Sequence, residues 1–385
     1  MTNFFSSDFK LGILGGGQLG KMMLYDTRKY DIQTYVLDPN PNAPCKIGCD
    51  YFQLGNLMDY ETVYNFGKKV DVLTFEIETV NIKALAQLEK EGKKVYPSAK
   101  TLENIQNKGK QKLFYKENGI PTAKFIRFSN KAHLTEGITS NKMKLPFVWK
   151  STQGGYDGKG VSIVKSGADL AKLPDVECII EELVDYKNEL AVIVARNPQG
   201  EIKTYPVVEM EFHPEANQVE YVICPARIDS KIADEAIKVA KKVSKAFEHV
   251  GILAVEMFLT KNDKILVNEV APRPHNSGHY SIEASYTNQF EQHIRAILDL
   301  PLGDTESKLG GIMVNLVGIE GHSGDVLYKN IEEIMKMKGV TPHIYGKKQT
   351  RPFRKMGHVT IVHEDINEAR KIAEKVKKTI KVISK

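Results

Sequence analysis

The first hundred residues alternate short apolar runs with amphipathic segments, a pattern that predicts strands and helices in turn. The predicted strands are Lys10–Leu14, Gln33–Leu37, Val70–Phe75 and Lys94–Tyr96, and the predicted helices are Gln18–Tyr30 and Asn81–Glu91. Parallel strands need long crossover connections, which are usually helices. The alternation therefore predicts a parallel, doubly wound α/β sheet up to about residue 100.

After residue 100 the pattern changes to one helix, Thr101–Asn118, followed by short strands and turns. The predicted elements are strands at Phe147–Lys150, Val161–Val164 and Cys178–Val184, a hairpin of Leu190–Arg196 with Ile202–Glu209, and helices at Ile232–His249 and Ser281–Leu298. A further helix is predicted near the C-terminus, with Ile366, Ala369, Ala373, Val376 and Ile380 on one face. The chain as a whole is predicted to mix α/β and α+β organisation.

One stretch, Gly251–Arg273, is predicted to form two apolar strands joined by a turn at Asn262 and Asp263. If the turn is the centre of a hairpin, Glu256 and Glu269 lie directly opposite one another. Like charges that face each other across two strands repel, so a cation is expected between them. Carboxylate oxygens with an amide alongside suit Mg²⁺. The hairpin therefore predicts a site for a metal-bound polyphosphate, unless a slip in register turns one glutamate to solvent.

Composition narrows the class of protein. The chain has 385 residues, enough for two or three domains, and its 42% hydrophobic and 26% charged content is ordinary for a globular protein. A net charge of +6 without a dense basic block argues against nucleic-acid binding. The four cysteines lack zinc-ligand spacing, no signal peptide opens the chain, and no apolar run could span a membrane. We expect a cytoplasmic enzyme.

Two glycine-rich loops are candidates for anion binding. Gly15–Gly20 matches G-x-G-x-x-G and is followed by Asp38, which is the dinucleotide fingerprint, although a helix N-terminus with glycines accepts any phosphate or carboxylate. The loop Gln153–Gly160 lies between two strands, so it is not a Walker A loop. Its glycines free backbone amides for phosphate oxygens, and Lys150 and Lys159 add positive charge.

Two further segments concentrate polar groups. Arg273–His279 contains a guanidinium, two imidazoles, an amide and a hydroxyl directly after the predicted metal hairpin. So many polar side chains at the end of a buried strand contribute little to folding but are suited to binding an anion. Lys347–Lys355 is a second basic cluster, which by itself is more typical of a solvated loop.

Several strings resemble the ATP-grasp superfamily and, within it, the 5-(carboxyamino)imidazole ribonucleotide synthase family of purine biosynthesis. They are GILGGGQLGKMM at the start, TFEIE (Thr74–Glu78), GGYDGKG (Gly154–Gly160), EELV (Glu181–Val184), AVEMF (Ala254–Phe258), NEVAPRPHNSGHY (Asn268–Tyr280) and QFEQHIRAILDLPLG (Gln289–Gly303). The resemblance implies an ATP-grasp fold with four parts: a Rossmann-like pre-ATP-grasp domain (1–102), a linker and lid subdomain (103–184), an ATP-grasp core (185–303) and a small C-terminal domain (304–385).

The resemblance also implies a reaction, in which ATP phosphorylates bicarbonate and the resulting carboxyphosphate carboxylates the amine of 5-aminoimidazole ribonucleotide. ATP and Mg²⁺ are the implied cofactors, and a homodimer is the implied assembly. The residues that would bind the nucleotide are Lys108, Lys150, Gly155, Tyr156, Asp157, Gly158, Lys159, Gly160, Glu181, Glu182, Leu183, Val184, Glu189, His213, Asn268 and Glu269. Glu256 and Glu269 would hold the metal.

The remaining implied roles concern the two other substrates. Arg273, His275, Asn276 and Ser277 would orient bicarbonate and its phosphorylated form, and Asp157 would assist proton removal from the attacking amine. Contacts to the imidazole ribonucleotide would come from Gln18, Glu76, Tyr156 and Asp157, with Lys347 and Arg354 at its 5′-phosphate. Lys108 stands where relatives usually have arginine, so a bidentate phosphate contact is lost there.

Three other functions share part of these features. A biotin-type carboxylase or another carboxylate–amine ligase would keep the paired metal carboxylates but use a different acceptor. An NAD-dependent dehydrogenase would use the loop Gly15–Gly20. A nucleotide-binding module without activity would not need the intact carboxylate pair.

Overall fold

The computed structural model describes residues 4–140, 143–154, 160–214 and 218–385. Its N-terminal part is a five-stranded parallel sheet in the order β3-β2-β1-β4-β5. The elements are β1 (Lys10–Leu14), α1 (Gln18–Lys29), β2 (Gln33–Asp38), β3 (Tyr51–Leu54), α2 (Tyr60–Gly67), β4 (Val72–Phe75), α3 (Ile82–Lys90) and β5 (Lys94–Val95). The predicted doubly wound sheet is confirmed, whereas strand β3 and helix α2 were not predicted.

Two helices replace the single predicted helix Thr101–Asn118, and this prediction was wrong. They are α4 (Ala99–Gln106) and α5 (Lys108–Glu117). Asn107 between them is extended, with φ −115° and ψ 109°, and its side chain accepts a hydrogen bond from the Lys110 amide. An asparagine that caps a new helix ends the previous one, because the extended residue breaks the ladder of backbone hydrogen bonds.

A four-stranded antiparallel sheet in the order β6-β9-β7-β8 follows. Its elements are β6 (Phe125–Phe128), α6 (Lys131–Thr139), β7 (Phe147–Ser151), β8 (Val161–Val164), α7 (Gly167–Lys172) and β9 (Cys178–Glu182). The three strands predicted in this part are confirmed. The loop from β7 to β8 contains residues 155–159, which lie outside the described residues.

The central sheet has nine strands in the described part of the chain. Its first strands and adjoining helices are β10 (Tyr186–Arg196), β11 (Ile202–Thr204), β12 (Val208–Phe212), β13 (Val219–Cys224), α8 (Ser230–Phe247), β14 (Gly251–Thr260), β15 (Ile265–Ala271), α9 (Ser281–Ala284) and α10 (Gln289–Ile297). The strand predicted at Ile202–Glu209 is divided around Pro206, since proline cannot donate to the ladder. The helix predicted at Ser281–Leu298 is likewise divided, at residues 285–288.

The C-terminal part adds β16 (Gly310–Val317), β17 (Gly324–Lys329), α11 (Ile331–Met335), β18 (Val340–Ile344), β19 (Gln349–Thr350), β20 (Lys355–His363), α12 (Ile366–Thr379) and β21 (Lys381–Ser384). Strand β16 pairs with β13, so the central sheet continues through β16 and β20 to β18. The domain boundary predicted at residue 303 therefore divides the chain but does not divide the sheet. The predicted apolar face of α12 packs against this sheet.

Candidate active site

Strands β14 and β15 form the predicted carboxylate hairpin, and Glu256 is the ladder partner of Glu269. The pairing depends on a β-bulge. Met257 pairs with Val267 while Glu256 pairs with Glu269, so Asn268 is the extra residue on its strand. Without the bulge Asn268 would face Glu256, because each insertion moves the register by one residue. The bulge therefore brings the two carboxylates opposite each other and leaves the Asn268 amide beside them.

The pKa values of the two carboxyl groups are shifted in opposite directions. Burial, together with the charges of Glu269 and Glu189, raises the pKa of Glu256 to about 8. The Lys108 ammonium lies 2.6 Å from Glu269 Oε2 and lowers the pKa of Glu269 to about 2. His275 Nε2 lies 3.3 Å from Glu256 Oε1. One glutamate is thus paired with a cation, and the other is a partly buried carboxyl for which an additional cation would stabilise the charged form.

These residues fit a magnesium ion that is shared with a polyphosphate. Mg²⁺ in such sites is held by one or two protein carboxylates, while phosphate oxygens and waters complete its octahedron. No group of three or more His, Cys, Asp or Glu side chains suited to a metal occurs in the described part of the chain. A metal at the hairpin would accordingly depend on its nucleotide for the remaining ligands.

Lysines from helix α5 and strand β7 converge beside the hairpin. Lys150, on β7, lies 3.0 Å from Asn268 Oδ1 and 3.2 Å from Glu181. Lys112, on α5, lies 3.3 Å from Glu181 Oε2 and donates to Thr122 Oγ1 at 2.7 Å. Burial would raise the pKa of Glu181, but Lys112 and Lys150 outweigh it, and the pKa is lowered. The Glu181 carboxylate therefore holds two lysines in the site.

Sequence reasoning missed Lys112, although its spacing was informative. Lys108 and Lys112 are four residues apart on α5, so both side chains lie on one helix face. Lys112 is only 2% exposed, and burial lowers its pKa to about 8. A second lysine one helical turn after a candidate phosphate ligand was the available signal.

We predict that Lys112→Met lowers the free energy of unfolding by about 3 kcal/mol, because it removes one partner of a buried ion pair. Chemical denaturation with urea measures this quantity. Lys110→Met is the matched control, since Lys110 pairs with Glu103 on the surface, and it should cost less than about 1 kcal/mol. Equal small losses in both variants would show that the buried pair does not stabilise the fold.

The segment after β15 brings the predicted anion ligands to the same place. Arg273 Nε lies 2.8 Å from Glu78 Oε1, which ties the segment to the N-terminal domain. His275 Nδ1 lies 2.9 Å from Ser277 Oγ. The Gln289 side chain accepts from the His275 amide and donates to its carbonyl, at 2.9 and 2.8 Å. Backbone and side chain of His275 are both fixed, as a residue that orients a substrate requires.

The glycine loop at the start of α1 is occupied by carboxylates of the chain itself. Glu76 accepts hydrogen bonds from the amides of Gly17, Leu19 and Gly20 at 2.9–3.2 Å. The Gly16 amide donates to Asp38 Oδ2 at 2.6 Å. In the dinucleotide fold this helix N-terminus binds the pyrophosphate, and the acid binds ribose. The amides at the start of α1 and the Asp38 carboxylate are here engaged in contacts within the chain. The dehydrogenase hypothesis therefore loses its binding site.

The predicted contacts to the imidazole ribonucleotide come from distant parts of the chain. Gln18 begins α1 beside the loop that Glu76 occupies. Lys347 Nζ donates to the Lys355 carbonyl at 2.7 Å, and Arg354 Nη1 donates to the Gln349 carbonyl at 2.6 Å. The Lys21 ammonium donates to the Ile344 carbonyl at 2.8 Å, which holds α1 against the end of β18. The N-terminal loop and the C-terminal basic loop are thus neighbours.

The predicted adenine and ribose contacts lie along β9 and β10. Glu189 Oε1 accepts a hydrogen bond from the Tyr186 hydroxyl at 2.9 Å, and burial raises the pKa of the Glu189 carboxyl. Glu182 accepts from the Lys124 amide at 3.1 Å. Leu183, in the turn before Val184, is exposed. The Glu181 side chain itself faces the lysines, which leaves the backbone of this strand end as the available adenine contact.

The remaining predicted nucleotide contacts are His213 and the glycine loop after β7. The His213 ring lies 5.8 Å from the Phe353 ring, in a cavity that strands β13 and β16 line together with α12 and β21. Asn315, which hydrogen-bonds to Asn276, lines the same cavity, and the contact of His213 with the nucleotide stays a prediction. Gly155, Tyr156, Asp157, Gly158 and Lys159 lie outside the described residues, and Gly160 follows them with φ +72°.

Searching the described residues for a helix long and apolar enough to cross a bilayer finds none.

Comparisons with known proteins agree with the fold. The ATP-grasp domain model matches residues 113–290, and a ribonucleotide synthetase preATP-grasp model matches residues 9–106. A model of the phosphoribosylaminoimidazole carboxylase C-terminal domain matches residues 311–372. The molecule is an ATP-grasp enzyme with a preATP-grasp domain and a small C-terminal domain, as the sequence predicted.

Individual relatives narrow this class. The chain is 38% identical to N5-carboxyaminoimidazole ribonucleotide synthase of Bacillus subtilis, over 93% of this chain and 92% of that protein. A crystal structure of the synthetase from Thermotoga maritima is 45% identical, with a TM-score of 0.89, and the match covers 98% of this chain and all of that one. The Aspergillus clavatus enzyme, solved with ADP and 5-aminoimidazole ribonucleotide, is 33% identical with a TM-score of 0.87, over 97% and 98%. The chain belongs to the N5-carboxyaminoimidazole ribonucleotide synthase family.

Proposed function

We propose that this enzyme couples ATP hydrolysis to the carboxylation of 5-aminoimidazole ribonucleotide with bicarbonate, in purine biosynthesis. The products are 5-(carboxyamino)imidazole ribonucleotide, ADP and phosphate. The observation that carries the proposal is the pairing of Glu256 with Glu269 beside Lys108 and Lys150, directly before the anion-binding segment that starts at Arg273. Family membership and the relative solved with ADP and 5-aminoimidazole ribonucleotide support the choice of substrates.

The nucleotide site combines positive charge with a pair of carboxylates. Lys108 and Lys150 would bind phosphate oxygens of ATP and offset charge that develops during transfer. Glu256 and Glu269 would hold Mg²⁺, which supplies further charge neutralisation when bound. The strand end at Glu182–Val184 would border adenine, and Glu189 would accept from ribose hydroxyls. The glycine loop after Lys150 would close over the phosphates.

The second half-reaction uses the segment after the hairpin. Arg273, His275 and Asn276 would orient bicarbonate for attack on the γ-phosphorus, which gives carboxyphosphate and ADP. Carboxyphosphate then yields phosphate and carbon dioxide, and the exocyclic amine of the acceptor attacks the carbon and loses a proton. Exclusion of water by the closed loop would protect carboxyphosphate, because an open site would allow its hydrolysis. We propose Asp157 as the group that helps remove the amine proton.

Omission experiments test the roles of bicarbonate and the metal. We expect nucleotide-stimulated ADP release to disappear in bicarbonate-free buffer and after chelation of divalent cations, and to return when Mg²⁺ is restored. ADP release that persists without bicarbonate would mean that another acyl anion is phosphorylated.

The basic loop at the C-terminal part would bind the 5′-phosphate of the acceptor. We predict that Arg354→Ala raises the KM for 5-aminoimidazole ribonucleotide by about tenfold or more, since a charge-assisted phosphate contact is worth about 1.5–3 kcal/mol. The KM for ATP should change much less. Initial-rate kinetics with each substrate varied in turn measure both constants.

The control for this prediction is Arg351→Ala, because Arg351 lies in the same loop and is exposed. It should leave both constants near their original values. Equal increases in the two KM values for Arg354→Ala would show that this arginine is not a specific phosphate anchor.

We also propose a homodimer, formed through the free edge of the N-terminal sheet. Strand β3 is the edge strand, and Tyr51 and Leu54 on it are 42% and 60% exposed. Ile47 and Met58 on either side are exposed as well. An apolar strand with an unpaired edge is suited to a second copy of the same chain.

Sedimentation analysis tests this arrangement. Wild-type protein should sediment as a dimer, and Leu54→Lys should shift the population to monomer. Met335→Lys is the control, because Met335 is equally exposed but lies on α11, far from β3 in the chain. A monomeric wild-type protein, or a dimer that Leu54→Lys leaves intact, would contradict the proposed interface.

We place the enzyme in the cytoplasm. Each of the four cysteines, all of them within the described residues, carries a free thiol. Reduced thiols are typical of cytosolic proteins.

A further inference from the structure

Three polar residues form a row across the C-terminal extension of the central sheet. Asn315 on β16 is the ladder partner of His358 on β20, and His358 is the ladder partner of His343 on β18. Ladder partners on adjacent strands project to the same face of a sheet. We call these residues the polar row.

Each member of the polar row contacts one residue of the segment after the hairpin. Asn315 and Asn276 exchange two amide hydrogen bonds of 2.9 Å. The His358 and His279 rings stack with centroids 4.7 Å apart. His343 Nε2 lies 2.8 Å from Glu283 Oε1. The contacted residues are three and four positions apart, the spacing of one helical face.

The interface is buried as well as polar. His358 and His279 are at most 1% exposed, and burial lowers the pKa of both imidazoles well below the usual value. His358 Nδ1 lies 3.1 Å from the Tyr345 hydroxyl, and His279 Nδ1 lies 2.9 Å from Gln289 Nε2. Such a network allows the segment and the sheet far fewer relative positions than an apolar contact would, because a shift of one against the other leaves polar groups unpaired. The polar row therefore fixes one register between segment and sheet.

The two sides of this interface lead to different parts of the reaction site. His275, directly before Asn276 in the segment, has its imidazole beside Glu256. Lys347 follows His343 by four residues, just after the end of β18, and Arg354 precedes His358 by four residues, just before the start of β20. The polar row thus joins the segment that would activate bicarbonate to the loop that would bind the acceptor's phosphate.

We propose that Asn315, His358 and His343 are positioning residues that hold the acceptor in register with the site of bicarbonate activation. The inference rests on the proposed function and assigns to these residues the coupling of its two half-reactions. When the register is lost, carboxyphosphate forms but is hydrolysed to bicarbonate and phosphate. ATP is then consumed without carboxylation of the amine.

The test compares ADP release with formation of the carboxylated nucleotide in the same reaction. Asn315→Asp removes the donor to Asn276, and His343→Phe keeps a ring against His358 but removes the contact to Glu283. In each variant we expect the yield of product per ADP to fall by about tenfold or more, since misplacement of about 1 Å can cost 10²-fold in rate. The KM for ATP should stay near the wild-type value.

Two further variants separate positioning from general loss of structure. His363→Phe makes the same substitution on β20 outside the polar row and should keep the wild-type yield per ADP. His343→Gln retains a side-chain donor for Glu283 and should recover part of the yield. If His343→Phe does not fold, because Glu283 is left unpaired, Asn315→Asp alone decides the question.

Folded variants with the wild-type yield per ADP would overturn the inference, even if both rates were lower. Failure of the proposed function would look different. In that case wild-type protein itself would release ADP without stimulation by 5-aminoimidazole ribonucleotide, and the inference would fall with it.

Discussion

Glu269→Gln is expected to lower the rate of ADP release by about a thousandfold, the upper end of the range for losing one group that stabilises a transition state. The substitution preserves size but removes the charge that faces Glu256 and pairs with Lys108 at 2.6 Å. A neutral amide in this place would weaken the metal site and leave the Lys108 ammonium without its partner. A coupled assay for ADP at saturating ATP and Mg²⁺ measures the effect.

The fold should survive this change, because Glu269 lies at the rim of the site with a side chain that is 41% exposed. Circular dichroism spectra and thermal unfolding provide the check. Glu117→Gln is the matched control at an exposed position on the last turn of α5, and it should keep full activity. A fully active Glu269→Gln variant would contradict the assignment of the hairpin as the metal site.

Lys150→Met is expected to lower kcat/KM for ATP by about 10²–10³-fold. The ammonium of Lys150 lies between Asn268 and the buried Glu181, pointing to the same place as the carboxylate pair. Methionine occupies a similar volume and cannot offset phosphate charge. Glu181 keeps Lys112 as a partner, so the variant should fold. Initial rates over a range of ATP concentrations give the constant.

Lys165→Met serves as the control for Lys150→Met, since Lys165 follows β8 at the surface of the same sheet. It should have kinetics close to wild type. A Lys150→Met variant that loses affinity only for 5-aminoimidazole ribonucleotide would place this lysine at the acceptor and not at the nucleotide.

The hairpin shows why part of the site could be predicted from sequence. Its turn residues and apolar strands are local in the chain, and the facing of Glu256 and Glu269 follows from counting away from the turn. The correct result nevertheless depended on the bulge at Asn268, which the count did not include. Asp263 at the turn has φ +57°, a conformation that aspartate tolerates better than most residues.

Interactions between distant segments could not be predicted in this way. The polar row joins Asn315, His343 and His358 to a segment more than thirty residues earlier, and Glu78 reaches Arg273 from another domain. No periodicity in the sequence records such contacts, because they arise from how the sheets pack. The helix break at Asn107, in contrast to these contacts, has a local cause. Asparagine is a preferred N-cap residue, and this signal for a new helix outweighs the continuous helical periodicity around it.

The central claim is that ATP turnover depends on the imidazole nucleotide as acceptor. The most direct measurement is ADP release by purified protein with Mg²⁺, ATP and bicarbonate, with and without 5-aminoimidazole ribonucleotide. Strong stimulation by the nucleotide, with one carboxylated product formed per ADP, is the predicted result. ATP binding without any stimulation would contradict the account and assign this ATP-grasp site to a different acceptor.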